Sequence, residues 1–319
     1  MIQVSDDGAR LTFRLIDAPD GSGELFTYAY LPTDAQYESP RPYLHPMRTL
    51  AGDLVTNFRP WDHIWHKGLA LSLPNVGPWN FWGGPTYVRD VGYQDLGNDG
   101  SMDHEAFTTL VNWMPGFNGF IEQLAWRTPP VDDKPGDVVV REERTVAVTV
   151  VDDDAWVLTW RSELTNVTDG PLDLGSPTTS GRENAGYGGL FWRGPRSFTE
   201  GTVIAPGFAG DAEVARGERF AWMGFVGRHD GYAAGSGTST VLIVDGGANP
   251  GGVPQWFVRS VPFAVLCPAP AFSEEVPFGP GETLTFEYAV VVADGESDVA
   301  RGEKLAALAA AALGSRSAR

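Results

Sequence analysis

The sequence predicts an all-β protein of packed antiparallel sheets with one C-terminal helix. Its 39 glycines and 24 prolines among 319 residues require frequent turns, which favour many short strands over long helices. The apolar runs are short and rich in β-branched and aromatic residues, which is typical of strands. Only Val299–Leu313 combines a helix-forming composition with helix start and stop signals.

Apolar and alternating runs predict the strands in order along the chain. Arg10–Ile16 and Leu25–Leu31 flank Asp-Gly-Ser-Gly and predict a hairpin. Val138–Val151 and Trp156–Val167 flank an Asp-Asp-Asp turn and predict a wide antiparallel hairpin. A further hairpin is predicted across Pro115-Gly116. The remaining predicted strands are Tyr87–Gly97, His104–Trp113, Phe120–Arg127, Pro171–Ser180, Ala221–Val226, Thr240–Val244, Gln255–Arg259, Phe263–Leu266 and Leu284–Val292.

The predicted helix Val299–Leu313 is rich in Ala, Leu and Lys. Asp298 or Ser297 is placed to cap its start, and Gly314 is placed to end it. We expect it to pack against a sheet. The chain shows no fixed-period repeat, no coiled-coil heptad and no long linker, so a single domain over residues 1–319 is predicted.

Charge and cysteine content exclude several classes of function. A net charge of -18 and a pI near 4.6 disfavour nucleic acid and anionic membranes as partners. No uncharged apolar run approaches the ~18 residues of a membrane span, and the N-terminus lacks signal-peptide features. Cys267 is the only cysteine, which predicts a packed, inert thiol and suits a reducing compartment. A cytoplasmic protein is expected.

Residues 57–85 hold two of the five histidines and four of the eleven tryptophans. Pro60 can start a helical turn that Gly68 ends, and such a turn brings His63 and His66 to one side. An extended strand would point them to opposite faces. One interpretation is two histidines bonded to backbone carbonyls at the edge of the core. The other is a functional loop, because flat aromatic faces beside titratable groups suit a sugar ring.

The motifs of nucleotide-binding proteins, thiolate-zinc proteins and serine hydrolases are absent from the sequence. The remaining His, Asp, Glu and Arg side chains suit acid/base chemistry or a metal. For acid/base chemistry, His63 or His66 is the base or acid, and Asp62 or Glu183 orients it or shares its proton. A metal would need three or four ligands, which His63, His66, His104 and one carboxylate could supply. The sequence requires no cofactor, but a divalent metal remains an alternative.

Seven segments of the chain match the motifs of a known family in the same order: Arg41–Pro46, Asp62–Gly68, Phe81–Gly83, Tyr187–Leu190, Trp222, Asn249-Pro250 and Trp256-x-x-Arg259. Through them the chain resembles, over most of its length, the bacterial PmoA-like family, a domain of unknown function. The Asp-His-x-x-His-Lys/Arg-Gly block is the most specific of them. Family members often have Asp-His-Pro before Asn-Pro, where this chain has Asp245-Gly246-Gly247.

The resemblance implies a galactose-mutarotase-like β-supersandwich with a carbohydrate bound in a cleft on one sheet face. Genes of this family tend to accompany sugar oxidoreductases and isomerase-like proteins. The family's common label, methane oxygenase, names a membrane-bound copper enzyme, and this chain lacks a predicted membrane span. The mutarotase histidine and glutamate are not matched residue by residue here. The candidate substrate-binding residues are His45, Arg59, Trp61, Lys67, Trp82, His104, Tyr187, Arg193, Trp256 and Arg259, with Trp65 and Trp79 as further parts of an aromatic floor.

Together these observations predict a carbohydrate-active lyase, hydrolase or isomerase. Its chemistry would be proton abstraction next to a carbonyl of a sugar or keto-sugar glycoside, leading to elimination, hydration or epimerisation. Glycoside cleavage by two acids is less favoured, because no carboxylate pair stands out. The alternatives are a noncatalytic sugar-binding or sensing protein and a metal-assisted sugar lyase. A small-molecule carbohydrate is the predicted partner, and the oligomeric state stays open.

Overall fold

The computed structural model of the chain describes residues 1–16, 23–110, 118–230 and 237–317, with side chains described to residue 314. The Pro115-Gly116 turn, residues 111–113 of a predicted strand and most of the first hairpin turn lie outside these ranges. The strands are Ile2–Asp6 (β1), Arg10–Leu15 (β2), Glu24–Ala29 (β3), Tyr43–Met47 (β4), Leu69–Val76 (β5), Trp79–Phe81 (β6), Thr86–Val88 (β7), Gly92–Gln94 (β8), Ser101–Leu110 (β9), Gly119–Arg127 (β10), Val138–Asp152 (β11), Ala155–Asn166 (β12), Leu174–Gly175 (β13), Gly189–Arg193 (β14), Thr202–Ala205 (β15), Phe208–Gly210 (β16), Trp222–Arg228 (β17), Thr238–Asp245 (β18), Gln255–Arg259 (β19), Val265–Ala269 (β20) and Thr283–Asp294 (β21).

Two large antiparallel sheets contain most of these strands. Sheet I has the order β1-β2-β3-β4-β5-β14-β20-β19, with β6 and β13 also paired to β5. Sheet II has the order β16-β15-β17-β18-β21-β12-β11-β10-β9. The short strands β7 and β8 form a separate hairpin. The prediction of an all-β fold of antiparallel sheets is therefore confirmed.

The strongest strand predictions are confirmed and three others need correction. β2 pairs with β3, β9 with β10, and β11 with β12, all antiparallel as predicted. The predicted strand Tyr87–Gly97 is instead the β7-β8 hairpin, since the chain turns at residues 89–91. Pro171–Ser180 contributes only the two residues of β13, because turns occupy the segment that follows it. The strand predicted at Phe263–Leu266 begins later, at Val265.

The main core lies between the inner faces of the two sheets. Trp192 and Leu266 of sheet I and Trp160 and Val290 of sheet II all belong to it. Successive residues of a strand point to opposite faces, so Phe191 and Val265 lie on the outer face of sheet I. There they join a second apolar cluster with Trp82, Phe257, Phe263, Cys267, Ala269 and Phe272. This outer face carries the candidate site.

The C-terminal helix (Val299–Ser317) covers the outer face of sheet II, as predicted. Leu305 and Ala309 pack there against Trp222 and Val291. The side chain of Asp298 accepts a hydrogen bond from the Arg301 N–H at 2.8 Å, which confirms Asp298 as the cap. Gly314 does not end the helix, which continues three residues further. A second, four-residue helix spans Ala212–Ala215.

Candidate functional site

Two consecutive turns place the histidines of the central loop. The His63 N–H donates to the Pro60 carbonyl at 3.0 Å, and the His66 N–H donates to the His63 carbonyl at 2.9 Å. The loop starts and ends beside β14, since Arg193 donates its N–H to the Gly68 carbonyl at 2.7 Å. These are separate turns rather than one helical turn, but they have the predicted result. The two imidazole rings stack with centroids 4.6 Å apart.

Gly68 allows this loop to pass close to β4. Its φ of +65° favours glycine, and a Cβ there would lie 2.3 Å from the Leu44 carbonyl oxygen. The sequence therefore needs glycine at this position for more than ending a turn.

His66 is a buried, neutral imidazole. Burial and the charge of Arg193 lower the pKa of His66 well below its usual value. The Arg193 Nη1 lies 3.1 Å from the His66 Nδ1. A guanidinium can only donate, so Nδ1 accepts and the proton of neutral His66 sits on Nε2. His66 is therefore a hydrogen-bond donor toward any ligand that reaches Nε2.

His63 is half-buried and lies beside Asp62. The His63 Nδ1 is 3.4 Å from the Asp62 Oδ2, longer than an ordinary hydrogen bond. Burial lowers the pKa of His63, and the Asp62 charge partly offsets this. Burial alone would raise the pKa of Asp62, but Arg193 and other neighbours lower it overall, so Asp62 is ionised. An Nδ1 proton facing this carboxylate leaves Nε2 of His63 as a base.

Both histidines line a cavity of about 410 Å³ on the outer face of sheet I. Most of its wall is aromatic, which is the usual character of a small-molecule site. Its lining residues are His63, Trp65, His66, Trp82, Gly83, Pro85, Tyr93, Arg182, Tyr187, Phe191, Phe257, Arg259, Pro262 and Phe263.

Sheet I supplies one side of this wall through strand alternation. Phe257 and Arg259 are two residues apart on β19 and both line the cavity. Trp256 lies on the opposite face of β19 and points into the main core, where its Nε1 donates to the Phe220 carbonyl at 2.9 Å. The sequence prediction paired Trp256 with Arg259, although a spacing of three in a strand separates them. The correct partner, Phe257, follows from the alternation alone.

On another side of the cavity, the Trp65 ring packs against the backbone of Gly84. A Cβ on Gly84 would lie 2.7 Å from the Trp65 ring, so only glycine fits this contact. Arg41 is buried and fixes the loop by donating to the Trp65 carbonyl at 2.7 Å. Trp65 is thus held in place by loops on both sides.

Tyrosine and arginine side chains complete the cavity. The Tyr187 ring packs on Trp82 with centroids 4.5 Å apart, and its hydroxyl lies 3.0 Å from that of Tyr93. Arg182 hydrogen-bonds the same Tyr93 hydroxyl. Burial raises the pKa of Tyr187 well above its usual value, so its hydroxyl stays protonated. Tyr93, Arg182, Phe191, Phe257 and Phe263 were missed as site residues by the sequence reasoning.

Three predicted binding residues form a different cluster. Lys67 is buried, 3.0 Å from the Asp34 carboxylate and hydrogen-bonded to Glu38. Arg59 forms two bonds with Glu38, at 2.7 and 2.8 Å. The His45 ring stacks on Phe58, and its Nδ1 lies 2.9 Å from the Thr56 hydroxyl. Arg59, Lys67 and His45 do not line the aromatic cavity.

Other predicted site residues also lie elsewhere. Trp61 is 83% exposed and Glu183 is exposed, and neither lines the cavity. Trp79 packs against the main core. His104 lies on β9, where its Nδ1 is 2.7 Å from the buried Glu122 carboxylate. Of the predicted residues, the structure brings together His63, His66, Trp65, Trp82, Tyr187 and Arg259 at the cavity, with Asp62 and Arg193 behind the histidines.

The predicted metal ligands are not assembled. His104 bonds to Glu122 on sheet II, away from the stacked pair on the outer face of sheet I. Within the ranges that the structure describes, no three His, Cys, Asp or Glu side chains are grouped to hold a metal ion. The lone thiol, Cys267, is fully buried, and burial raises its pKa to about 12.

A comparison with protein-family models places the chain in a family. The model of the family of unknown function DUF6807 matches residues 17–307. The chain belongs to this family. The sequence resemblance predicted a family of unknown function, and the PmoA-like label itself stays a prediction. Comparison with curated proteins finds no match. None of the described helices has the length and apolar character needed to cross a membrane.

Solved structures similar to this DUF6807 chain include carbohydrate enzymes. A candidate aldose 1-epimerase from Escherichia coli has 12% identity and a TM-score of 0.35, covering 92% of this chain and 99% of its own. A galactose mutarotase related enzyme from Lactobacillus acidophilus has 9% identity and a TM-score of 0.32, covering 93% and 98%. A heparan sulfate lyase mutant from Pedobacter heparinus has 10% identity and a TM-score of 0.33, covering 93% of this chain and 35% of its own. TM-scores this low do not indicate that this chain shares the activity of any of these proteins.

Proposed function

We propose that this chain is a carbohydrate-active enzyme that moves a proton at a carbon next to a carbonyl of a sugar or keto-sugar glycoside. The observation that carries the proposal is the stacked pair His63 and His66 on the wall of an aromatic cavity. Lowered pKa values keep both rings neutral near pH 7, so one can accept a proton while the other donates a hydrogen bond.

The two rings have different roles in this proposal. Nε2 of His63 takes the proton from carbon, and the C–H electron pair moves onto the carbonyl oxygen. The Nε2–H of His66 donates to that oxygen and stabilises the enolate, as a preorganised donor in a site of low polarity does. Asp62 stabilises the positive charge that His63 gains.

The enolate then has two outcomes. Protonation of the opposite face of the carbon by solvent gives an epimer, and His63 then releases its proton to solvent. Departure of a group on the neighbouring carbon gives elimination, and the leaving oxygen takes the proton from His63. The faces of Trp65, Trp82 and Tyr187 suit the C–H faces of a sugar ring and would hold it during either step.

A product screen tests this proposal. Sugars, glycosides and their keto forms are incubated with the protein, with and without divalent ions, and products are detected by mass spectrometry. We expect turnover by the natural chain and a loss of about 10²- to 10⁴-fold in His63→Gln, in line with the usual contribution of a general base. The matched control is His229→Gln, because His229 lies on another loop, 2.7 Å from Ser239.

The outcomes separate the competing functions. Equal turnover by His63→Gln and His229→Gln would contradict the proposal. Binding of a sugar without turnover of any compound would instead support the noncatalytic sugar-binding function. Turnover only with added divalent ions would support a metal-assisted lyase.

A further inference from the structure

The cavity is lined by positive charge, although the protein as a whole is strongly negative. The chain has 41 acidic and 23 basic residues, yet the described residues that line the cavity include Arg182 and Arg259 and no Asp or Glu. A cluster of positive charge in a cleft of low polarity attracts anions more strongly than the same charge on an open surface. This local charge needs an explanation that a neutral sugar does not supply.

Arg259 is the clearest example of a cavity arginine without a carboxylate partner. Its guanidinium lies 5.6 Å from the centroid of the Phe257 ring, and within the described part of the chain it has no hydrogen bond or ion pair with a carboxylate. Other arginines of this region are paired: Arg196 bonds to Asp62 at 2.7 Å, and Arg216 bonds to Glu213. Arg259 is thus left with donors for a ligand.

Arg182 adds a second positive charge on the same wall. Its guanidinium packs on the Tyr93 ring, 4.8 Å from the centroid, and the side chain hydrogen-bonds only to the Tyr93 hydroxyl among the described residues. Burial and the charge of Arg182 both lower the pKa of Arg259. Two guanidiniums that repel each other in one cavity are stabilised when an anion binds between them.

Arg193 extends this positive charge behind the histidines. It is fully buried, with its guanidinium 3.8 Å from the centroid of the Phe263 ring. Its Nε and Nη2 have no hydrogen-bond partner within the described residues. The nearest carboxylate, Asp62, lies 3.8 Å from Nη2 and is also bonded to Arg196. The positive charge at the site therefore exceeds the negative charge that neighbouring acids provide.

We propose that the sugar bound in this cavity carries an anionic group, a carboxylate or a phosphate or sulfate ester, and that Arg182 and Arg259 bind this group. The aromatic wall holds the sugar ring, and the arginines select the charged substituent. This inference rests on the proposed function, because it assigns the substrate class of the same cavity.

Binding measurements test the substrate class. Glucuronate, glucose 6-phosphate, glucose and inorganic phosphate are titrated into the natural chain by calorimetry at low and high salt. We expect at least one of the two anionic sugars to bind about tenfold or more tightly than glucose and inorganic phosphate, with affinity falling as salt rises. The two anionic sugars distinguish a carboxylate from a phosphate ester.

Variants locate the binding. Arg182→Met with Arg259→Met is expected to remove the preference for the anionic sugar. Arg228→Met serves as the matched control, because Arg228 is exposed at the end of β17 in sheet II. Circular dichroism and thermal unfolding confirm that each variant is folded. The single variant Arg259→Met is the fallback if the double variant fails to fold.

The proposal would be overturned by equal affinity for glucose and both anionic sugars, by no binding of either anionic sugar, or by a preference that survives the arginine changes. Inorganic phosphate binding as tightly as the sugars would also overturn it. Failure here is distinguishable from failure of the proposed function: in the first case a neutral sugar is still turned over in a His63-dependent reaction, and in the second the anionic sugar binds but His63→Gln changes no reaction.

Discussion

Two regions of this molecule contain a histidine, a carboxylate and an arginine, and they differ in how completely these groups are paired. The interior network lies between the sheets and consists of Tyr28, His104, Glu122, Glu142 and Arg144. Arg144 bonds to both oxygens of Glu142, at 2.7 and 2.9 Å, and to the Tyr28 hydroxyl at 2.9 Å. The Tyr28 hydroxyl also bonds to Glu122, which accepts from His104.

The pocket cluster of His63, His66, Asp62 and Arg193 uses the same residue types with incomplete pairing. Nδ1 of His63 and Nε and Nη2 of Arg193 are buried and have no hydrogen-bond partner within the described residues. Unpaired buried polar atoms reduce stability, and here they belong to a residue of the cavity wall, His63, and to the arginine behind it. The comparison teaches that residue type alone does not mark a functional site, whereas unpaired polar groups around an open cavity do.

The largest expected effect concerns the interior network. Arg144→Met leaves Glu142 buried without its cation, which should lower the free energy of unfolding by about 3–5 kcal/mol. Arg193→Met should cost less, because the Nε and Nη2 of Arg193 already lack hydrogen-bond partners within the described residues and Asp62 keeps its bond to Arg196. Urea unfolding of both variants measures the difference. Equal losses would remove the distinction between the two regions.

The next effect concerns the pocket cluster. Asp62→Asn should lower kcat/KM about tenfold to hundredfold near pH 7, because His63 loses its orienting partner. The carboxylate raises the pKa of His63, so its removal should also move the acid limb of the pH–rate profile to lower pH. A profile measured from pH 4 to 9 checks both parts. An unchanged acid limb of the pH–rate profile would show that His63 is not the titrating base.

A smaller effect concerns the contact of Trp65 with glycine. Gly84→Ala places a methyl group against the Trp65 ring and should raise the KM for the sugar about fivefold, a loss near 1 kcal/mol. Gly97→Ala is the matched control, since both glycines have positive φ but a Cβ on Gly97 meets nothing within 4 Å. Both variants should lose similar stability from backbone strain. An equal rise in KM would remove Trp65 from the site.

The smallest effect on turnover concerns His45, which was predicted to bind substrate. Burial lowers the pKa of His45 to about 4. The unfolded chain takes up this proton near pH 6.5 and the folded chain only near pH 4, so His45 favours unfolding as pH falls through this range. Urea unfolding of His45→Gln should therefore show a shallower loss of stability between pH 6.5 and 4, with unchanged turnover at pH 7. A change in turnover would place His45 in the site after all.

Much of the fold followed from the sequence because it depends on local patterns. β11, β12 and the cap at Asp298 were predicted from alternation and capping chemistry within one segment. The pairing of His63 with His66 also followed from a local turn. Arg59 and Lys67 could not be placed in the same way, because their partner Glu38 lies more than twenty residues away and takes them to a different cluster.

The rest of the site depends on contacts between distant segments. Tyr93 comes from β8, and Arg182 and Phe263 come from two separate loops, so nothing local to each predicts that they meet. His104 resembles a site histidine in the sequence, but it becomes part of the interior network only through the pairing of β9 with β10. One local signal was available: alternation along β19 places Phe257, rather than Trp256, on the same face as Arg259.

The central claim is that His63 moves a proton at carbon. Keto-glycosides incubated with the protein in deuterated water report this directly, since a proton taken from carbon is replaced by deuterium from the solvent. We expect the natural chain and His229→Gln to incorporate deuterium at the carbon next to the carbonyl. His63→Gln should incorporate it at a rate lower by about 10²-fold or more. Incorporation by His63→Gln at the rate of the natural chain would contradict the account.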